Sequence, residues 1–381
     1  MSSLIYLDNA ATTAPFPEVT AVYNKYVDTL WFNPSALYAP ALDVKRAVDR
    51  ARQAVLLTYG SQEHLCTFTS GGTEAANMVI RFGARKRKGM NYVCAGFEHP
   101  CVEESFKQLR EDGAEVRWVE TNADGSTSVS RLMDAIDDNT ALVSVMHVNN
   151  ETGAVNDIDG LAQAVKTRVP KAVFHSDGVQ AFGRVMLRRP DVVDYYTVSA
   201  HKIHGLKGTG AVLSRRDAPL RPMLRGGGQE RGLRSGTENV PGILMFGYAA
   251  DNFYRNREKV QTHLEQLRKS FLAQLDNEPG ILTVAPDGAP HIVSLFVDGL
   301  RGETLMHSLE SEGIVVSTGS ACSSKKEKSR AARALGVSNA EAASMVRISF
   351  CPMTEQADVI RAAETLKACA EKLRSVTRKQ S

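Results

Sequence analysis

The residues of this chain best placed for chemistry are a lysine, an aspartate, a glycine–threonine turn and a cysteine among small polar residues. Lys202 closes the segment Ser199-Ala200-His201-Lys202. An amine there can form a Schiff base with an aldehyde cofactor, and the adjacent hydroxyl and imidazole can hold a phosphate. Asp177 lies 25 residues upstream in Ser176-Asp177-Gly178. Its carboxylate can pair with a pyridinium nitrogen and make the ring an electron sink. Gly71-Gly72-Thr73 opens a helical pattern, where bare backbone and free amides suit an anion. An ordinary glycine turn has the same composition. No Walker lysine follows and no G-x-G-x-x-G occupies the turn, which argues against a nucleotide. Phosphate cradle, aspartate and lysine are together the parts that a pyridoxal-phosphate site requires.

Cys322 lies in Ser317-Thr318-Gly319-Ser320-Ala321-Cys322-Ser323-Ser324, a run that reads as a mobile loop. Its flank, Lys325-Lys326-Glu327-Lys328, would lower a thiol pKa from its free value of about 8.5. Cysteine is otherwise a small buried hydrophobe. Lys325, Lys326, Lys328 and Arg330 would lie beside the exposed sulfur, either as solvated charge or as a guide for an acidic partner. His99, in Phe97-Glu98-His99-Pro100, could stack on a ring and shuttle protons near neutral pH, and a structural loop histidine fits equally. Cys94, His99 and Cys101 are close in sequence, but their spacing matches no standard zinc pattern, so no metal is expected.

These groups need a scaffold. Short apolar runs alternate with helical patterns, which predicts an α/β fold: a mostly parallel sheet with flanking helices. Leu65–Thr69, Tyr92–Ala95, Ala141–Met146, Ala172–His175 and Tyr195–Val198 read as strands that end in polar residues. In such sheets ligands bind at the strand C-terminal ends, so the polar tips should converge. Ala75, Met78, Val79 and Phe82 share one face of the helix after Thr73. Beyond Gly247 the pattern changes to an amphipathic helix over Phe253–Leu275, a Pro/Gly-rich stretch over Pro279–Pro290, a strand over Ile292–Val297 and a final helix from near Thr354. The organisation expected is a large cofactor-binding domain over residues 15–250. Residues 1–14 and 251–381 would form a smaller α+β domain that carries the cysteine loop.

With 381 residues, of which 43% are hydrophobic, the chain can bury a sizeable core. A net charge of +3, with no basic patch interleaved with aromatics, predicts no direct binding to nucleic acid or membrane. No apolar run approaches the ~20 residues of a membrane span. Asp8 cuts short the first apolar run and no basic segment precedes it, so a signal peptide is not expected. The six scattered cysteines then read as reduced thiols in the cytoplasm.

Six segments in order carry a family resemblance. They are Tyr6-Leu7-Asp8-Asn9-Ala10-Ala11-Thr12-Thr13, Thr69-Ser70-Gly71-Gly72-Thr73-Glu74, Met146-His147-Val148-Asn149-Asn150-Glu151, Ser199–Lys202, Gly226–Thr237 and Gly319-Ser320-Ala321-Cys322. The pattern resembles the cysteine desulfurases, class V aminotransferases within the aspartate-aminotransferase fold of pyridoxal-phosphate enzymes. The resemblance implies sulfur removal from L-cysteine, with Lys202 as the cofactor lysine and Cys322 as the sulfur acceptor. It implies Gly72, Thr73, Ser199 and His201 around the phosphate, with Thr237 reaching over from a second subunit of a homodimer. Asp177 would hold the ring nitrogen, Gln180 the ring hydroxyl, and His99 and Asn150 would line the cofactor. Asn33, Asn150 and Arg347 would hold the substrate carboxylate, a task that suits a planar guanidinium fork. Sulfur would pass to an acceptor protein, an iron–sulfur scaffold or a tRNA-thiolation enzyme. A selenocysteine lyase, another aminotransferase and a non-enzymatic cofactor-binding scaffold are the alternatives. Tyr38 stands where the family often has a histidine.

Overall fold

A computed structural model describes residues 4–84, 89–318 and 330–378. Strand β1 (Ile5–Tyr6) opens the described chain. It is followed by β2 (His64–Thr69), β3 (Asn91–Ala95), β4 (Glu115–Val119), β5 (Thr140–Ser144), β6 (Val173–Asp177), β7 (Tyr195–Ser199) and β8 (Gly210–Arg215). The later strands are β9 (Ile281–Thr283), β10 (Ile292–Val297), β11 (Ile314–Val315), β12 (Ser317–Thr318) and β13 (Met345–Ser349).

Strands β2 to β8 form one seven-stranded sheet in the order β2-β8-β7-β6-β5-β3-β4. Only β8 is reversed: it pairs antiparallel with both β2 and β7, while the remaining pairs are parallel. The interior strands are buried on both faces, which is why β5 to β7 read as near-continuous apolar runs. Alternate residues serve two cores. Val93, Phe174 and Tyr196 pack with the Ala39–Tyr59 and Val240–Gln274 helices. Tyr92, Val173 and Tyr195 pack under the Gly72–Phe82 and Pro100–Glu111 helices.

A four-stranded sheet, β12-β13-β10-β9, is built from the C-terminal part of the chain, and β1 pairs with β11. Asp8 bridges to Ser349, so the N-terminal segment lies beside β13. The final helix covers Gln356–Arg378.

Two elements differ from the sequence expectation. The helix expected over Phe253–Leu275 runs from Val240 to Gln274, through the expected boundary at residue 250. Its first turns are buried nearly all round, so they lack the amphipathic stripe that marks a surface helix. Gly247 is a packing residue there: an added Cβ would lie 2.5 Å from Ala51 Cα on the crossing helix. Ser317 and Thr318, expected to begin a loop, pair with β13 as a short strand.

Gly210 determines how closely β8 can pass beneath the Gly71 turn. A Cβ at this position would lie 2.7 Å from Gly71 Cα and 2.6 Å from the Val198 carbonyl oxygen. Gly210→Ala should therefore lower stability by about 1–3 kcal/mol, read as a reduced urea midpoint at unchanged slope. An unshifted midpoint would show that the Gly71 turn gives way without strain.

Candidate active site

The sheet register explains how residues distant in sequence meet. Gly210 of β8 pairs with Thr69 on one side and Ser199 on the other, which brings the Gly71–Thr73 turn beside the end of β7. Asp177, at the end of β6, pairs in register with Thr197 of β7. His99 follows the end of β3 and caps the Pro100–Glu111 helix, with proline at its first turn. The polar tips do converge. Gly72, Thr73, His99, Asn150, Asp177, Gln180, Ser199, His201, Lys202 and Arg347 line one cavity of about 370 Å³, together with Ala10, Ala11 and Cys101.

The ammonium of Lys202 is held from across the site by the N-terminal segment. It donates to the Ala10 carbonyl at 2.6 Å and the Ala11 carbonyl at 2.8 Å. Burial, with the guanidinium charges of Arg347 and Arg184, pulls its pKa down to about 8, against the attraction of Asp177 and Asp8. The amine is therefore closer to its nucleophilic neutral form than an exposed lysine. Burial likewise pushes Asp177 up to about 6, opposed by the Val179 N–H and Lys202. Its Oδ1 accepts from Val179 N–H at 2.9 Å, and no donor among the described residues reaches Oδ2. Burial holds His99 and His201 down at about 4, with Lys202 adding to the effect in each. Both imidazoles are thus neutral near pH 7, so His99 does not titrate in the neutral range expected from its type.

Arg347 enters from β13. One guanidinium nitrogen contacts Asp8 Oδ1 at 2.7 Å and another donates to the Asn150 carbonyl at 2.7 Å. Its buried Nε has no partner among the described residues. The preceding residue, Asn149, builds the turn that presents Asn150: its side chain bonds the Phe97 carbonyl and the N–H groups of Glu151 and Thr152.

A family model of the class-V aminotransferases matches residues 5–361. The chain belongs to that family. It is 36% identical to the cysteine desulfurase of Trichormus azollae over 98% of this chain and 95% of that protein. Among solved structures, a NifS-like protein has 30% identity and a TM-score of 0.88, covering 96% of this chain and 98% of its own. SspA in complex with cysteine has 28% identity and a TM-score of 0.80, over 92% of this chain and 100% of its own.

The residues present fit the cofactor class that the sequence implies. Gly72 keeps the helix start narrow, since an added Cβ would lie 2.9 Å from Val179 Cγ2. Gln180 donates to the Ala10 carbonyl at 2.8 Å, while its buried Oε1 has no partner among the described residues, as a ring hydroxyl would require. Asp177 Oδ2 is a free acceptor for a ring N–H.

Other expected residues lie elsewhere. Asn33 and Thr237 are exposed and outside the cavity lining, and Asn33 Oδ1 accepts from Ser35 N–H at 2.9 Å. Cys322, with Lys325, Lys326 and Lys328, lies outside the described residues. Arg330 requires a correction. It was expected beside the exposed thiol as a solvated or partner-guiding charge, but its side chain is largely buried. It pairs with Glu103 at 3.3 Å and with Glu151, and lies over the Phe97 ring. Among the described residues no group of three or more His, Cys, Asp or Glu is arranged to hold a metal ion. No described helix is long and apolar enough to cross a membrane.

Sequence reasoning gave no role to Asp8, Ala10, Ala11 or Arg184. Two of these act through backbone carbonyls, which side-chain type cannot signal. Arg184 is wholly buried and donates to the Lys202 carbonyl, so it supports the lysine turn from behind.

The raised Asp177 pKa has a stability consequence. An unfolded aspartate ionises near 3.9 and the folded one at about 6, so ionisation opposes folding. The penalty is absent below about pH 4, grows through the interval and is complete above about pH 6. In the ligand-free protein, Asp177→Asn should be more stable than wild type by up to about 3 kcal/mol near pH 8 and equal to it near pH 4. Urea denaturation at both pH values checks this, and a difference independent of pH would contradict it.

Proposed function

We propose that this chain is a pyridoxal-phosphate-dependent cysteine desulfurase, which converts L-cysteine to L-alanine and collects the sulfur as a persulfide on Cys322. The observation that carries the reading is the single cavity in which Lys202, Asp177, His99, the Gly72–Thr73 helix start, Ser199, His201 and Arg347 meet. The named relatives support it.

The cofactor, when bound, supplies an electron sink for the carbon next to the substrate amine. Thr73, Ser199 and His201 would hold its phosphate at the helix start. Asp177 would hold the ring nitrogen through Oδ2, Gln180 the ring hydroxyl, and His99 one ring face. Lys202 Nζ would anchor the cofactor covalently and, once released, move the proton at the substrate Cα; its depressed pKa suits both tasks. Arg347, already oriented by Asp8 and the Asn150 carbonyl, would share its fork with the substrate carboxylate, with Asn150 of the same cavity beside it. Cys322, as thiolate, would attack the substrate sulfur: the new S–S bond forms as the Cβ–S bond breaks, and protonation of that carbon completes alanine.

The sulfur would then pass to an acceptor protein in the cytoplasm, either an iron–sulfur scaffold or a tRNA-thiolation enzyme. Residues 15–250 would form the cofactor-binding domain, with residues 1–14 and 251–381 forming the one that carries Cys322. Thr237, exposed on its own chain, would complete the phosphate site of a partner subunit.

The purified protein should be yellow, with Lys202→Ala lacking the visible band and forming no alanine. Cys322→Ser should keep the band and lose at least about a hundredfold in alanine and persulfide formation. A colourless wild type that gains no band on addition of pyridoxal phosphate would overturn the cofactor assignment, and near-normal alanine output from Cys322→Ser would overturn the role of that thiol. Light scattering should give twice the chain mass of 41.5 kDa. A fully active monomer would contradict the part given to Thr237.

A further inference from the structure

Cys101 lines the cavity, yet the proposed chemistry gives it no part. It is the second residue of the Pro100–Glu111 helix, directly beside the His99 cap. Its Sγ lies 3.0 Å from His99 Nδ1, and its backbone N–H donates to the same nitrogen at 3.2 Å.

An amide N–H can only donate, so the nitrogen it meets must accept and carries no proton there. In a neutral imidazole the proton then sits on Nε2. The thiol meets the same acceptor and must also donate. A helix start by itself favours a thiolate. Here burial pushes the Cys101 thiol well up, and the carboxyl groups of Asp177 and Glu98 add to the effect, so the S–H is retained. The Thr73 side chain also hydrogen-bonds the sulfur and opposes this rise, which links the helix start to His99 through one thiol. The charges facing His99 are Lys202 and Arg330, both of which disfavour a second ring proton.

We propose that Cys101 is a positioning residue for His99: its thiol and its amide together hold Nδ1 as an acceptor, fix the ring proton on Nε2 and make His99 a hydrogen-bond donor through that edge. In the desulfurase reading, on which this consequence rests, His99 offers a proton at Nε2 and cannot collect one there until that proton has left. The tautomer itself does not depend on the reaction.

The test uses the full-length holoprotein with isotope-labelled histidine. Imidazole spectra across a pH series are assigned to His99 by comparison with His99→Gln. Wild type should show the neutral Nε2–H form near pH 7. Cys101→Val fills the space without a donor, and should raise the His99 titration midpoint by about half to one pH unit, since a donor to the neutral ring is lost. Cys101→Ser should restore the wild-type midpoint. In alanine formation from cysteine, kcat of Cys101→Val should fall about three- to tenfold with KM little changed and the acid limb of the pH profile moved upward, and serine should rescue it. A merely space-filling role predicts the opposite order, with valine like wild type and serine impaired, and that order would overturn the proposal. A wild-type ring protonated on Nδ1 would overturn it as well. A wild type that forms no alanine while its His99 spectra behave as described would refute the desulfurase reading and leave the Cys101–His99 assignment standing.

Discussion

The site depends on keeping one ammonium group inside a polar but confined space. Lys202 faces two groups of each sign: Arg347 and Arg184 oppose its proton, Asp177 and Asp8 favour it, and burial decides the direction. Among the described residues no carboxylate forms a close ion pair with it. The structure supplies the carbonyls of Ala10 and Ala11, which stabilise an ammonium without forcing it to remain charged. A carboxylate in contact would have fixed the proton and left the amine inert. The same N-terminal segment is fastened to the lysine turn by Thr13, whose N–H and hydroxyl both donate to the His201 carbonyl.

That arrangement ties the two sheets together at the cavity. Asp8 bridges Ser349 of the small sheet and pairs with Arg347 of the same strand, and two residues later the chain reaches Lys202 at the tip of the large sheet. Arg347 in turn bonds the Asn150 carbonyl, which belongs to the loop after β5. Positions from both sheets are therefore coupled through a few short contacts, and a shift of the small sheet would move the guanidinium and the lysine carbonyl anchors together.

The floor of the site is a matter of close approach. Gly210 lets the reversed strand β8 pass between the β2 and β7 tips, and Gly72 lets the helix start sit against Val179. Gly178 meets the Tyr196 ring so closely that a Cβ would lie 1.9 Å from Cε1. These glycines provide space for neighbours, so the strand ends can crowd around one ligand-sized volume.

The chain by itself determined the strands that lead to Asp177 and Lys202, the helix after Thr73 and the α/β class, because apolar period and polar tips are local properties. It also singled out Lys202, Asp177, Ser199 and His201, whose residue types carry the chemistry, while Arg347 came only from the family resemblance. It did not disclose the Val240–Gln274 helix start, since a helix buried on all sides has no stripe, nor the reversal of β8, since strand direction is set by neighbours. Arg330 illustrates the limit most clearly. In sequence it continues a basic run, yet folding places it over Phe97 between Glu103 and Glu151. The carbonyl anchors of Lys202 and the thiol on His99 Nδ1 were likewise decided by tertiary structure alone. Backbone oxygens have no residue-type signature, and a cysteine becomes a partner of one ring nitrogen only when a helix cap turns that edge toward it.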